Sequence, residues 1–383
     1  MTNSQIAFCP DWVSPPGETI VDLIEEKNWN QKELAERLGC SEKHLSQLVK
    51  GKVSLTEDIA LKLELVLGST ASFWLNREAK YQEHLARIEA QQLYQNKNSL
   101  NWLNTFPIKE LQKINVLPKG VVIEKSKPKL VESLLHFFRV SSPERWQERY
   151  GAMQLAFRRT REAQSDIGAI SAWLRLGEIE AEKLDVPKYD AKKFKNALSL
   201  IRNLTMESPD TFQTEMHRLC NEAGVMLVLV PAIPKAHVSG VARWLNNKPL
   251  IQLSLYGKTN DKFWFTFFHE AAHILLHADS KKEIFLDDLN GDCLNSEEEE
   301  ANNWAGGFLI PSVYEDRLGK LKNQLKVNRF SKGFVQEKMA IHRFAQEVGI
   351  HSGIVVGRLQ HEKIIEPSWM NDLKVSFNWG ESN

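Results

Sequence analysis

Phe263-Trp264-Phe265-Thr266-Phe267-Phe268-His269-Glu270-Ala271-Ala272-His273-Ile274-Leu275-Leu276 decides the reading of the C-terminal half of this chain. Apolar residues flank the polar trio on both sides, which predicts a helix buried on most of its faces. Residues i and i+4 of a helix stack one above the other, so His269 and His273 can reach one ion. Glu270 falls on the adjoining face, where it can act on water beside a metal. Two histidines and a glutamate are costly to bury unless something satisfies them, and a bound cation would do so. The bland alternative is a polar stripe left exposed on a half-buried helix.

The flanks of this helix set the rest of the domain. Upstream, Gly224-Val225-Met226-Leu227-Val228-Leu229-Val230 is a short apolar run closed by Pro231 and predicts a buried strand. Residues 238–244 and 250–255 predict two more strands, joined by a turn at Asn246-Asn247-Lys248-Pro249. The strand near Ile251 is the expected seat for an extended protein segment held by backbone pairing. Downstream, Ser296-Glu297-Glu298-Glu299-Glu300-Ala301-Asn302 opens a helix that stops at Pro311, with Ser296 and Glu299 as a capping box. Ala301, Trp304, Ala305 and Phe308 mark its inward face, which leaves Glu297 and Glu300 as candidates for a third protein ligand. Most of the acidic run reads as negative charge favouring a helix N-terminus. Gly306-Gly307 should loosen this helix by about 1–2 kcal/mol. From about residue 220 onward the pattern is α+β, a small sheet and then helices.

The N-terminal part is helical throughout. Asn30 can cap a helix over 31–38, with Glu33 echoing a capping box. Gly39 supplies a tight turn, and Ser41 caps a second helix that stops at Gly51. Ala35, Leu38, Leu45 and Leu48 should pack the pair together. The open face of the second helix carries Lys43, His44, Ser46, Gln47 and Lys50, donor-rich side chains suited to base edges and phosphates. Charge gives that reading no help. Residues 1–95 hold ten Lys or Arg against fourteen Asp or Glu, although Lys43, Lys50 and Lys52 cluster at the second helix. A long amphipathic stretch over 72–92 follows, then a polar break at Asn96-Lys97-Asn98-Ser99 that reads as a linker. Residues 1–16 read as an extended arm. Residues 100–220 alternate helical patterns with prolines, and serve either as a sensor or docking region or as a plain spacer.

The 383 residues are enough for two or three domains, with 49 basic and 49 acidic residues in balance. Cys9, Cys40, Cys220 and Cys293 lie far apart, which argues against a cysteine metal site or a disulfide framework and fits a reducing cytoplasm. The N-terminus lacks the features of a signal peptide, and the apolar runs are too short to span a bilayer. A cytoplasmic protein without a membrane partner is expected.

Two resemblances sharpen this picture. Residues 17 to about 81 resemble the antitoxin repressors of the HigA type, within the lambda-repressor-like class. The shared residues are Pro16-Gly17-Glu18, Gln31-Lys32-Glu33-Leu34-Ala35, Leu48-Val49-Lys50-Gly51-Lys52, Ala60, Phe73-Trp74-Leu75-Asn76 and Tyr81. The resemblance implies an all-α, five-helix fold, usually a homodimer, with double-stranded operator DNA and a cognate toxin as partners. Gln31 then joins Lys43, His44, Ser46, Gln47 and Lys50 as a DNA-contacting residue. Residues 223 to about 365 resemble the ImmA/IrrE metallopeptidases. The match runs through Ser239-Gly240, Ile251-Gln252-Leu253-Ser254, residues 261–277, Glu300-Ala301-Asn302, Phe308-Leu309-Ile310-Pro311 and residues 354–360. It implies a zincin-like α+β domain. In that family the glutamate directly before Ala-Asn is the third ligand, which selects Glu300. His277, one turn beyond His273, is expected to support the site or the helix packing and not to bind metal. In residues 100–222, Phe106-Pro107, Phe137-Phe138, Ala172-Trp173-Leu174-Arg175 and residues 201–205 recur in chains that fuse these two modules.

The expected organisation is therefore a helix-turn-helix domain over 1–95, a helical linker or sensor over 96–222 and a metallopeptidase domain over 223–383. The expected activity is zinc-dependent cleavage of a regulatory protein such as a repressor. His269, His273 and Glu300 would hold Zn2+ with water in the fourth position, and Glu270 would act as general base. The alternative is a non-enzymatic, antitoxin-type repressor of a toxin–antitoxin module.

Overall fold

The computed structural model describes residues 14–150, 166–254, 259–277, 284–286, 296–327 and 334–377. The N-terminal arm up to residue 13, with Cys9, and the position of Cys293 lie outside the described residues. The chain divides into two compact units: residues 1–100 with 122–131, and residues 101–121 with 132–383.

Residues 16–95 of the first unit form five helices: α1 (Pro16–Glu26), α2 (Gln31–Leu38), α3 (Glu42–Val49), α4 (Glu57–Leu67) and α5 (Ala71–Gln95). The Asn30 side chain accepts from the Glu33 amide at 2.9 Å, and Ser41 does the same for His44 at 3.2 Å. The expected capping box does not close, because the Glu33 carboxylate takes the Arg37 guanidinium one turn on at 2.8 Å. Gly39, at φ 65°, ends α2 in the left-handed region. Leu34, Ala35, Leu38, Leu45 and Leu48 are buried with Ile20, Leu63 and Trp74 in one core. The segment 96–99 is a helix-to-helix cap and not an open linker. Asn96 accepts from the Ser99 amide, the buried Ser99 hydroxyl donates to the Leu93 carbonyl, and α6 (Lys97–Leu103) begins at once.

The second unit is built on a four-stranded sheet of order β1-β3-β2-β4. The strands are β1 (Met226–Leu229), β2 (Gly240–Leu245), β3 (Lys248–Leu253) and β4 (Ile284–Leu286). β1 runs parallel to β3, while β2 pairs antiparallel with both β3 and β4. The β2–β3 turn is only Asn246-Asn247, both at positive φ (50° and 63°), which suits a two-residue hairpin. Pro249 thus sits inside β3, paired with Trp244 alone, because β1 joins β3 only from Leu250 onward.

Side chains alternate across this sheet, and both faces are covered. Leu227, Ala242, Ile251 and Leu253 join the main core with helix α12, numbered after α7 (Ile108–Lys113), α8 (Lys127–Phe138), α9 (Ile167–Ala181), α10 (Ala191–Asn203) and α11 (Pro209–Glu222); α12 spans Asn260–Leu276. The opposite face meets α9. Arg243 of β2 donates to the Leu174 carbonyl at 2.6 Å, and Gln252 of β3 donates to the Trp173 carbonyl at 2.6 Å. Glu178 of α9 accepts from Arg243 at 3.0 Å and from Arg175 at 2.6 Å, all three side chains being less than a tenth exposed. The break expected at 222/223 is therefore absent from the packing. Helices α9 to α11 belong to the same unit as the sheet, and a plain-spacer reading of that stretch does not stand.

The unit continues through α13 (Ser296–Leu309), α14 (Glu315–Val327), α15 (Val335–Val348) and α16 (Ser352–His361). A Cβ on Gly306 would lie 2.4 Å from the Arg358 guanidinium, so this glycine makes room for a side chain of α16. Gly307 faces open space. Arg202 of α10 donates to the carbonyls of Phe308, Leu309 and Val348, satisfying the orphan acceptors at the ends of α13 and α15. The double glycine thus sits in a braced helix.

Candidate metal centre and DNA-reading face

Helix α12 is as buried as its sequence demands. Phe263, Trp264, Phe267 and Phe268 pack into the core, and His269, Glu270 and His273 are each fully buried. Their polar atoms gather in one place. The Nε2 atoms of His269 and His273 are 3.0 Å apart. A carboxylate from α13 meets both, with Oε2 at 3.2 Å from His269 and Oε1 at 3.4 Å from His273. That carboxylate is Glu298, and His269, His273 and Glu298 form a compact cluster of metal-ligand type.

Glu300 does not join this cluster. It is mostly exposed, and its carboxylate lies 3.2 Å from Nε2 of His277. Two residues along a helix rotate a side chain by about 200°, so Glu298 and Glu300 cannot share one face. Glu298 lies three residues before Ala301 and four before Asn302, in line with the buried Ala301, Ala305 and Leu309. Glu297 has a separate, partly buried position one residue earlier.

Burial and mutual contacts shift the groups of the trio. Burial alone would raise the Glu298 carboxyl, but hydrogen bonds from His269 and His273 outweigh it and hold the group down to about 2. Burial pushes His273 below the ordinary histidine range against the pull of Glu298. An anionic carboxylate and a neutral imidazole are the forms that bind metal. The donor spacing fits as well: ligands about 2.0–2.1 Å from a tetrahedral ion lie roughly 3.3 Å from one another. Asn302 holds the His269 ring, its Oδ1 lying 3.0 Å from Nδ1. A cation replacing the Nε2–H contacts to Glu298 would move the His269 proton to Nδ1, where it donates to Asn302 and leaves the Nε2 lone pair for the ion.

Glu270 sits against the start of β2. A Cβ on Gly240 would come within 2.9 Å of Glu270 Oε1 and 2.5 Å of a Thr266 methyl, so only glycine lets this strand pass the helix. β3 is an interior strand, paired by β1 on one side and β2 on the other, and cannot accept an added strand as expected from the sequence. Among the described residues the sheet edges are β1 and β4.

In the first unit, Gln31, Lys43 and Lys50 are exposed, while His44, Ser46 and Gln47 are half-buried along α3. Lys43, Gln47 and Lys50 follow one another at i, i+4 and i+7, opposite the buried Leu45 and Leu48.

The two units are a helix-turn-helix fold, a DNA-binding architecture, and, in the same chain, an α+β unit that carries a His-His-Glu cluster of metal-ligand type. Comparison with known proteins agrees with both. Residues 20–74 match the helix-turn-helix family model, and residues 220–343 match the M78 peptidase model, an IrrE N-terminal-like domain. The chain is 36% identical over 61 residues to "Uncharacterized HTH-type transcriptional regulator YddM" of Escherichia coli, covering 16% of this chain and 65% of that protein. It is 41% identical over 56 residues to "Antitoxin HigA-1" of Vibrio cholerae, covering 15% of this chain and 52% of that protein. The chain thus spans between half and two thirds of the length of these relatives. Among the described residues no helix is long and apolar enough to cross a membrane.

Proposed function

We propose that this chain is a DNA-binding regulator whose larger unit is a zinc-dependent endopeptidase acting on a protein substrate, with a regulatory protein such as a repressor as the preferred target. The observation that carries the reading is the convergence of Glu298 from α13 on His269 and His273 of the buried helix α12, which also carries Glu270. These three residues would hold Zn2+. When bound, the ion supplies Lewis acidity that polarises a peptide carbonyl and makes water more acidic. Glu270 takes a proton from the attacking water onto its carboxylate as the water oxygen bonds to the carbonyl carbon. It then passes that proton to the amide nitrogen as the C–N bond breaks. Asn302 fixes the His269 ring throughout. A substrate segment that pairs by its backbone would use a sheet edge and not β3.

On the first unit, Gln31, Lys43, His44, Ser46, Gln47 and Lys50 form the proposed DNA-contacting set, and a dimer on an inverted-repeat operator is the expected complex. The test is cleavage. Zinc-loaded wild type should cut a repressor encoded beside it, and Glu270→Gln should leave that repressor intact. A substrate cut equally by both proteins would refute the role of Glu270. A second reading, a non-enzymatic antitoxin-type repressor with a toxin partner, draws on the likeness to Antitoxin HigA-1, which covers 15% of this chain. Toxin binding by wild type, with no cleavage under any metal, would favour it.

A further inference from the structure

Glu300 and His277 lie outside the trio, yet they are joined to it. Nδ1 of His273 is 3.1 Å from Nδ1 of His277, and Nε2 of His277 is 3.2 Å from Oε2 of Glu300. His277 is nearly buried at the end of α12, one turn beyond His273, while Glu300 stands more than half exposed on α13. Only one arrangement of protons satisfies these contacts while His273 offers Nε2 to a cation. Nδ1 of His273 must then carry its proton and donate it to Nδ1 of His277. Nδ1 of His277 must be the acceptor, so its proton sits on Nε2 and is donated to Glu300.

We propose that His277 and Glu300 are positioning residues for the metal centre: a carboxylate–imidazole relay that fixes the ring orientation and tautomer of His273. The inference rests on the metal reading of His269, His273 and Glu298, and deepens it. The two histidine ligands are then held by different devices. Asn302 accepts directly from His269, whereas His273 is held through a second imidazole that reaches the surface at Glu300. Both devices use α13, the helix that carries Glu298, so the spacing of Glu298, Glu300 and Asn302 serves ligand and supports together. Partners of this kind strengthen a histidine ligand by orienting it and raising its basicity, and their loss typically weakens metal binding about 10–100-fold.

The test is zinc affinity of the full chain, read by competition with a chromophoric chelator, with Co2+ absorption as a second readout. His277→Ala should still bind one ion per chain, with four-coordinate Co2+ bands, but about 10–100-fold more weakly. His277→Asn places an amide oxygen near the lost Nδ1, accepts from His273 and should recover most of the affinity. Glu300→Ala should cause a smaller loss, because water can replace an exposed acceptor, and should add nothing in the His277→Asn background, where the link to Glu300 is already cut. Wild-type affinity in His277→Ala, or no recovery in His277→Asn, overturns the relay while leaving the trio intact. Loss of stoichiometric binding in Glu300→Ala overturns it too, by making Glu300 a ligand. A wild-type chain that binds no metal overturns the metal reading and the relay together.

Discussion

Glu178→Ala tests whether the helices before the sheet are part of the unit that carries the His269-His273-Glu298 cluster. Glu178 carries one oxygen to Arg243 on β2 at 3.0 Å and the other to Arg175 on its own helix at 2.6 Å. Removing it leaves two guanidinium groups with little access to water. Arg175 keeps Glu182 at 3.2 Å and the Phe137 carbonyl at 2.9 Å. Arg243 keeps only neutral acceptors, the Leu174 carbonyl and Gln252. Breaking a buried pair from one side costs about 3–5 kcal/mol. For a unit of this size that is roughly a 10 °C fall in Tm. Urea and thermal unfolding of the full chain, followed by tryptophan fluorescence, would measure it. Glu178→Gln, which retains an acceptor oxygen, should lose less. A Glu178→Ala protein within about 1 kcal/mol of wild type would refute the claim that α9 locks the sheet through this charge cluster.

Other expectations follow from single contacts. Gly307→Ala, in open space on a helix, should raise stability by about 0.5–1 kcal/mol, whereas Gly306→Ala should fall short of that gain because it meets Arg358; equal gains would refute the packing argument. His351 caps α16 through Nδ1, which accepts from the Gly353 amide and the Asn260 side chain, and burial, then neighbouring His342, pushes it below the ordinary histidine range. Its contribution should be complete above the unfolded value of about 6.5 and drain away as pH falls below it. His351→Asn, which can cap but not charge, should flatten the loss of stability between pH 7 and 5; parallel profiles would dismiss the cap. Lys43→Ala should weaken binding to the promoter upstream of its own gene and reduce the salt dependence by about one phosphate contact, and Gln47→Ala should weaken it at one base position. Unchanged gel shifts for both would mean that α3 does not read that DNA.

The helix-turn-helix and α12 were legible because their signals are local. Caps, the turn glycine and the apolar stripe lie within a few residues of one another. Glu298, which the structure brings to the two histidines, was not singled out in the sequence, for two reasons. Trp304 and Phe308, stacked at 4.7 Å, are only half-buried, and counting them as inward left Glu297 and Glu300 as candidates, between which the family resemblance selected Glu300. The fully buried stripe Ala301-Ala305-Leu309, extended back one turn, points to Glu298, and that signal was present in the sequence. The role of α9 was not legible in the same way. Arg175 and Glu178 look like a solvated stripe until Arg243, 65 positions on, arrives from β2. Strand β4 has three residues, and its pairing with β2 is a long-range event that no local pattern announces.

The proposed metal centre stands or falls with the carboxylate that joins His269 and His273. Metal content of purified wild type, His269→Ala, Glu298→Ala and Glu300→Ala, measured by elemental mass spectrometry after dialysis against zinc-free buffer, tests it most directly. About one zinc per chain is expected in wild type and in Glu300→Ala, with little in His269→Ala and Glu298→Ala. Zinc retained by Glu298→Ala and lost from Glu300→Ala, or equal zinc in all four proteins, would contradict the site described here.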